Sequence, residues 1–120
     1  MAFTFPTTPF PALPTVPQRG STATLDFGDR RMMHAIWRDG FLYATTQVLP
    51  PSGEDINQVT AHWFKFSTAN PSQITLADQG NIGGEDISSN VSTSYATVAV
   101  DPAGNMAIGF AAPVPAMSGA

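Results

Sequence analysis

An all-β fold built on an antiparallel meander is what this sequence predicts, on three observations. From Thr22 onward the apolar residues recur with a period of two rather than 3.6, the spacing of strands. The apolar runs are separated by Gly, Pro, Asn and Asp, the residues that tight turns require. Charged residues make up 12% of the chain, about half the usual share, alongside many Thr, Ser and Gly, which disfavours long solvated helices. No stretch carries a helical period.

Residues 1–20 hold five of the eleven prolines, at Pro6, Pro9, Pro11, Pro14 and Pro17. Proline fixes φ and lacks a backbone donor, so this segment is expected to be an extended arm or linker, with Phe3, Phe5, Phe10 and Leu13 able to lie along a surface. The remainder, 21–120, reads as sheet. Met32 to Trp37 is the first strand. Arg38-Asp39-Gly40 follows, and Asp-Gly is a strong hairpin signal because both residues tolerate positive φ. Phe41 to Val48 returns. Leu49 to Gln58, with its Pro-Pro-Ser-Gly, is a loop. Val59 to Ser67 is the third strand, with His62, Phe64 and Phe66 on one face and Trp63 and Lys65 on the other. Ala69-Asn70-Pro71-Ser72 is a turn, Ile74 to Asp78 a short fourth strand, and Gly80 to Ser94 a polar, Gly-rich loop. Tyr95 to Val100 and Met106 to Ala111 close a last hairpin around Asp-Pro-Ala-Gly-Asn.

The pattern therefore gives an antiparallel four-stranded meander, about 30–79, followed by a second, partial unit, about 95–112. Two echoes support a repeat. MMHAIWRDGFLYA (32–44) and TVAVDPAGNMAIG (97–109) are each strand, Gly-containing turn and strand. Gly53-Glu54-Asp55-Ile56 recurs as Gly84-Glu85-Asp86-Ile87. The last hairpin is apolar on both faces, whereas a sheet wet on one side alternates with polar residues. Such sheets must be covered on both sides, and radial stacking of four-stranded blades in a β-propeller is one solution. On that reading the chain carries one blade and half of the next, a propeller fragment. Its first partners are neighbouring blades of the same parent or oligomer.

The composition excludes several function classes. The net charge is −4, and the five basic residues form no run that could neutralise phosphates, so no nucleic-acid partner is expected. No apolar run reaches the ~20 residues of a membrane-spanning helix. With no cysteine there is no disulfide framework, thiolate zinc site or cysteine nucleophile. The N-terminus, full of Pro and without a basic region, makes a poor signal peptide. No nucleophile elbow, P-loop or dinucleotide fingerprint occurs.

The hairpin residues YATVAVDPAGNMAIGF (95–110) resemble the inner hairpin of blades in bacterial sialidase-like β-propeller repeat proteins. DRRMMHAIWRDGFLY (29–43) is similar to a recurring blade opening in the same proteins, and HWFKF (62–66) to their aromatic third strand. The likeness covers roughly 21–112. It implies a propeller, from a parent expected outside the cell. The Asp-box, Ser-x-Asp-x-Gly-x-x-Trp, is absent, and no catalytic set transfers onto this sequence, so no catalytic residue is assigned.

Blade topology puts the loops 25–31, 49–58 and 80–94 on one face and only tight turns on the opposite one. Long loops on a rigid scaffold are where binding concentrates. The candidate binding residues are therefore Asp29, Arg31, His34, Glu54, Asp55, Glu85 and Asp86. The four acidic residues of the GEDI loops offer hard oxygen ligands of the kind Ca²⁺ takes, or a carboxylate pair of the kind that cleaves glycosides; solvated loop charge is the alternative. Arg31 and His34 open the first strand, where His34 either faces a central channel or is a satisfied structural side chain. Three readings follow: a non-catalytic binding or scaffold module with a carbohydrate or protein ligand; part of a sialidase-like glycoside hydrolase propeller; or a small all-β sandwich with a structural role. No cofactor is required by any motif.

Overall fold

The computed structural model describes residues 12–17, 19–26 and 31–113. The described residues contain eight strands and no helix. They are β1 (Val16–Pro17), β2 (Thr24–Leu25), β3 (His34–Arg38), β4 (Phe41–Val48), β5 (Thr60–Ser67), β6 (Thr75–Ile82), β7 (Ser94–Val100) and β8 (Met106–Ala111). Strands β3-β4-β5-β6 form a four-stranded antiparallel sheet in chain order, β7-β8 a two-stranded sheet and β1-β2 a short ribbon. The all-β meander plus hairpin is the arrangement the period-two pattern calls for.

The Asp-Gly signal acts as expected. Asp39 (φ 49) and Gly40 (φ 87) both take positive φ between the paired Arg38 and Phe41. Two central residues of that hand match the right-handed twist of the flanking strands. The turn is further tied by Thr68, whose hydroxyl and backbone N–H both donate to the Gly40 carbonyl.

The fourth strand is longer than the sequence pattern suggests. It runs to Ile82, so the first unit extends past residue 79 and takes in Gly80-Asn81-Ile82 from the expected loop. The register explains why the pattern hid it. Lys65 pairs with Asp78 but Phe66 pairs with Leu76, so Ala77 is an extra, bulged residue that breaks the alternation. Gly80 interrupts the strand for another reason: its Cβ would stand 2.8 Å from Trp63 Nε1. Only glycine lets the Trp63 indole lie flat against β6.

The register divides the large sheet into two faces. One carries Ile36, Tyr43 and Lys65 side by side, with Phe41 and Thr45 along β4. The β7-β8 hairpin packs here. Tyr43 is 2% exposed and is buried with Val98 and Val100, against Ile36, Phe41, Met106 and Ile108. The other face carries Ala44, Phe64 and Phe66, packed with Leu42 and Ile74, the two phenyl rings stacked 5.6 Å apart. Third-strand alternation is as expected: His62, Phe64 and Phe66 are buried, while Trp63 and Lys65 are half-buried.

Of the Pro-rich arm, residues 12–17 and 19–20 are described. Val16 is buried against Val59, with Leu13 and Leu25 around them. Hydrophobic burial of one Val is worth about 1.5 kcal/mol or more, which gives this end of the arm a fixed place beside the start of β5.

Candidate functional site

The two GEDI segments fold alike. In each, the glycine carbonyl accepts from the N–H of the isoleucine three residues on, Gly53 from Ile56 at 3.3 Å and Gly84 from Ile87 at 2.9 Å. Both isoleucines are exposed, so the turns are held by backbone bonds rather than by burial. The 83–93 segment is then anchored back onto the sheet, where Thr93 N–H donates to the Val59 carbonyl. This anchor draws the two loops together.

Their meeting point is Asp55 with Glu85. The carboxyls are hydrogen bonded to each other, and Asn81 on β6 donates to Asp55. They converge over Gly83, where a Cβ would stand 2.7 Å from Asp55 Oδ1. Burial, the hydrogen bond to Glu85 and then the charge of Glu85 push the Asp55 carboxyl above its ordinary value. Asn81 pulls it partly back, and Glu54 adds a smaller upward push. Two carboxyls in such contact do not titrate independently of each other. They stand too close to flank a glycosidic bond, which needs roughly 5 Å or more between the acids.

Asn81 continues the chain of bonds inward. Its side-chain oxygen lies 2.6 Å from His62 Nδ1, and Gln79 lies 3.0 Å from Nε2. Both ring nitrogens face side-chain amide oxygens, Nδ1 that of Asn81 and Nε2 that of Gln79. Buried His62 is thus a link between β5, β6 and the loops, with its ring edge-on to Phe64 at 4.6 Å. Asn81 and Gln79 were not singled out from the sequence. They sit on a strand that the pattern ended too early.

The remaining sequence candidates are placed elsewhere. Glu54 and Asp86 are exposed on their turns. Asp29 lies outside the described residues. Arg31 is exposed, and its carbonyl accepts from the Thr46 hydroxyl at 2.9 Å. His34 faces β7, where Nδ1 accepts from the Val98 N–H at 3.0 Å. Through Nδ1, His34 is thus bound to backbone. Among the described residues, no group of three His, Asp or Glu is arranged to hold a metal ion.

His34 belongs to a set. Four backbone groups of β7 that β8 does not take up are met by side chains of the large sheet. Thr45 Oγ1 donates to the Ala96 carbonyl (2.6 Å), and Arg38 Nη1 to that of Val100 (3.1 Å). Gln47 Oε1 accepts from Tyr95 N–H (3.1 Å), and His34 from Val98. One edge of the hairpin is thereby closed to further strands.

Two hollows open beside these elements. One, of about 370 Å³, lies between Pro14–Val16, Ile56–Val59, Asn90 and Ser92, on the loop-bearing side. The other, of about 270 Å³, lies between the β3-β4 and β7-β8 turns, on the side where the sequence showed only tight turns. No protein-family model, curated protein or solved structure matches this chain.

The acid pair makes a pH dependence that can be checked. Asp55 is raised in the folded state, so the folded chain takes up its proton before the unfolded chain does. Stability therefore rises as pH falls from neutral through the raised value, and the gain is complete below the ordinary 3.8. Asp101 acts oppositely: bonds from the Asn105 side chain and backbone hold it low, so its contribution is present above 3.8 and lost as pH falls through the lowered value. Asp55→Asn keeps a donor for Glu85 and removes the repulsion. It is expected to stabilise the chain by about 0.5 kcal/mol at neutral pH and to flatten the rise toward pH 4, leaving the loss in stronger acid. Urea midpoints across pH for both proteins test this; an unchanged pH profile in Asp55→Asn would refute the assignment.

Proposed function

We propose that this chain is a non-catalytic binding or scaffold module, a blade and part of the next in a larger β-propeller-like assembly. One observation carries the reading. The β7-β8 hairpin is closed on one side and open on the other. Its inner face packs on Tyr43, and its inner edge is capped by His34, Thr45, Gln47 and Arg38. Its outer face presents Thr97, Ala99 and Ala107 to solvent, with Tyr95 48% exposed. Among the described residues β8 pairs only with β7, so its second edge is free to accept a strand.

On the far side of the large sheet Ala44, Phe64 and Phe66 are buried, but at its edge Trp37 of β3 is 61% exposed. A third sheet that repeated the observed stacking would come onto the hairpin or onto this edge. Exposed large apolar side chains at such a place suit an interaction site. The paired GEDI turns, on the loop-bearing side, are then the place for a carbohydrate or protein ligand. The absence of a catalytic pair at Asp55 and Glu85 favours binding over glycoside hydrolysis.

Light scattering after size exclusion tests the assembly. The expected result is association into species of several chains, weakened by Trp37→Glu without loss of the fold. A monomer that melts cooperatively, with no dependence on concentration, overturns the proposal and leaves a small structural β-sandwich as the reading to pursue.

A further inference from the structure

The cleft between the two hairpin turns brings together features that the assembly reading does not use. Its floor is Phe41 and Tyr43, with ring centroids 6.4 Å apart and tilted by 57°. Lys65, from the neighbouring strand β5, holds its ammonium 4.3 Å from the Phe41 centroid and 5.7 Å from that of Tyr43. Arg38 closes one end, and Val100 to Gly104 form the opposite wall. The volume, about 270 Å³, suits a small molecule.

The charges of this cleft are unevenly satisfied. Lys65 is steadied by two rings and by no described carboxylate within ion-pair distance, while an ammonium on a ring face keeps its own N–H donors for a further acceptor. Arg38 Nη1 donates to the Val100 carbonyl, which pins the guanidinium, but its buried Nε has no hydrogen-bond acceptor. The nearest carboxylate, Asp39, is 78% exposed and stands 3.6 Å away, beyond hydrogen-bond reach. The other acid of the cleft, Asp101, is turned into its own loop. Its Oδ1 accepts from Asn105 N–H at 2.8 Å and its Oδ2 from Asn105 Nδ2 at 2.9 Å. Two of the five basic residues in an acidic chain thus meet on one apolar floor, Arg38 with only an exposed ion pair to Asp39 and Asp101 bonded to its own loop.

We propose that this cleft binds a small monocarboxylate, its apolar body along Phe41 and its carboxylate taken by Lys65 and Arg38. A single negative charge is favoured over a dianion because Asp39 and Asp101 remain on the rim. Charge-assisted bonds to a planar carboxylate are the strongest that such a pair of cations can make. The site is separate from the GEDI turns and does not depend on how the sheets assemble.

Benzoate and benzamide form a matched pair of probes, equal in ring and differing in charge. Amide chemical shifts of the full chain are to be followed as each is added. Benzoate is expected to give saturable shifts at Phe41, Tyr43, Lys65 and Asp101 to Gly104, and benzamide none. Lys65→Met keeps the stem over the rings and removes the charge; it is expected to weaken benzoate by about five-fold or more, as is Arg38→Lys, which retains a donor for Val100. Equal response to the two probes, benzoate binding unchanged in Lys65→Met, or no saturable shift at these residues each overturns the site.

Discussion

Replacing Tyr43 with alanine is expected to cost about 3–5 kcal/mol, the range for removing a large buried aromatic. The position explains the size. Tyr43 is 2% exposed and stands where the two sheets meet, touching side chains from β3, β4, β7 and β8 together. The four side-chain caps on β7 do not compensate, because they come from the same strands and need the same spacing. Against a total stability of about 5–15 kcal/mol for a natural domain, such a loss leaves the hairpin poorly attached. Urea unfolding with a tyrosine- and tryptophan-independent signal, such as far-ultraviolet dichroism, measures it. Tyr43→Phe keeps the ring and is expected to stay within about 1 kcal/mol of the parent. A Tyr43→Ala protein as stable as Tyr43→Phe would mean that the hairpin does not rest on the sheet as described.

The fold was legible in the sequence wherever side-chain period and turn chemistry agreed. Phe41 to Val48 is preceded by Asp-Gly and followed shortly by Pro-Pro, and it begins and ends where expected. Legibility failed where one strand residue did something that its neighbours conceal. The bulge at Ala77 reverses the alternation of β6, so the expected strand stops at Asp78, short of Gln79 and Asn81, although both pair with β5. Tyr95 is a second case. It takes φ 50, a conformation disfavoured for a bulky side chain, at a break in the β7-β8 register. Nothing in YATVAV announces it. The bond from Tyr95 N–H to buried Gln47, forty-eight residues earlier, is a tertiary reason.

The candidate site divides in the same way. Repetition of GEDI pointed to two equivalent turns, and topology put them on one side; the structure brings Asp55 and Glu85 into contact. Sequence could not say that His34 would be spent on the Val98 backbone, since the same residue in the same strand could as well have faced a channel. Nor could it find the Arg38 and Lys65 cleft. Those residues are twenty-seven apart in sequence, and what joins them is strand order, β3 beside β4 beside β5, together with the packing of a hairpin from the far end of the chain.

Thr93 gives the second large effect, and through it the loops connect to the sheet. The side chain is fully buried. Its hydroxyl accepts from Ala61 N–H at 2.8 Å and donates to the Ile82 carbonyl, joining the start of β5 to the end of β6. Its backbone N–H donates to Val59. Thr93→Val preserves the shape and deletes the hydroxyl, leaving a buried donor on Ala61 and a buried acceptor on Ile82 without it. Each unsatisfied group costs about 1–3 kcal/mol, so a total of about 2–6 kcal/mol is expected. Thr93→Ser keeps both bonds and loses one methyl, about 0.8 kcal/mol. The comparison separates the hydroxyl from the volume. The loss is also expected to reach the acid pair, because Thr93 is what returns the 83–93 segment to the sheet and sets Glu85 against Asp55. In Thr93→Val, hydrogen exchange at Ala61 should quicken, and the rise of stability toward pH 4 should weaken as it does in Asp55→Asn. If Thr93→Val lost stability but kept the full pH response, the loop would be held by other bonds, and the Asp55–Glu85 contact would not depend on this anchor.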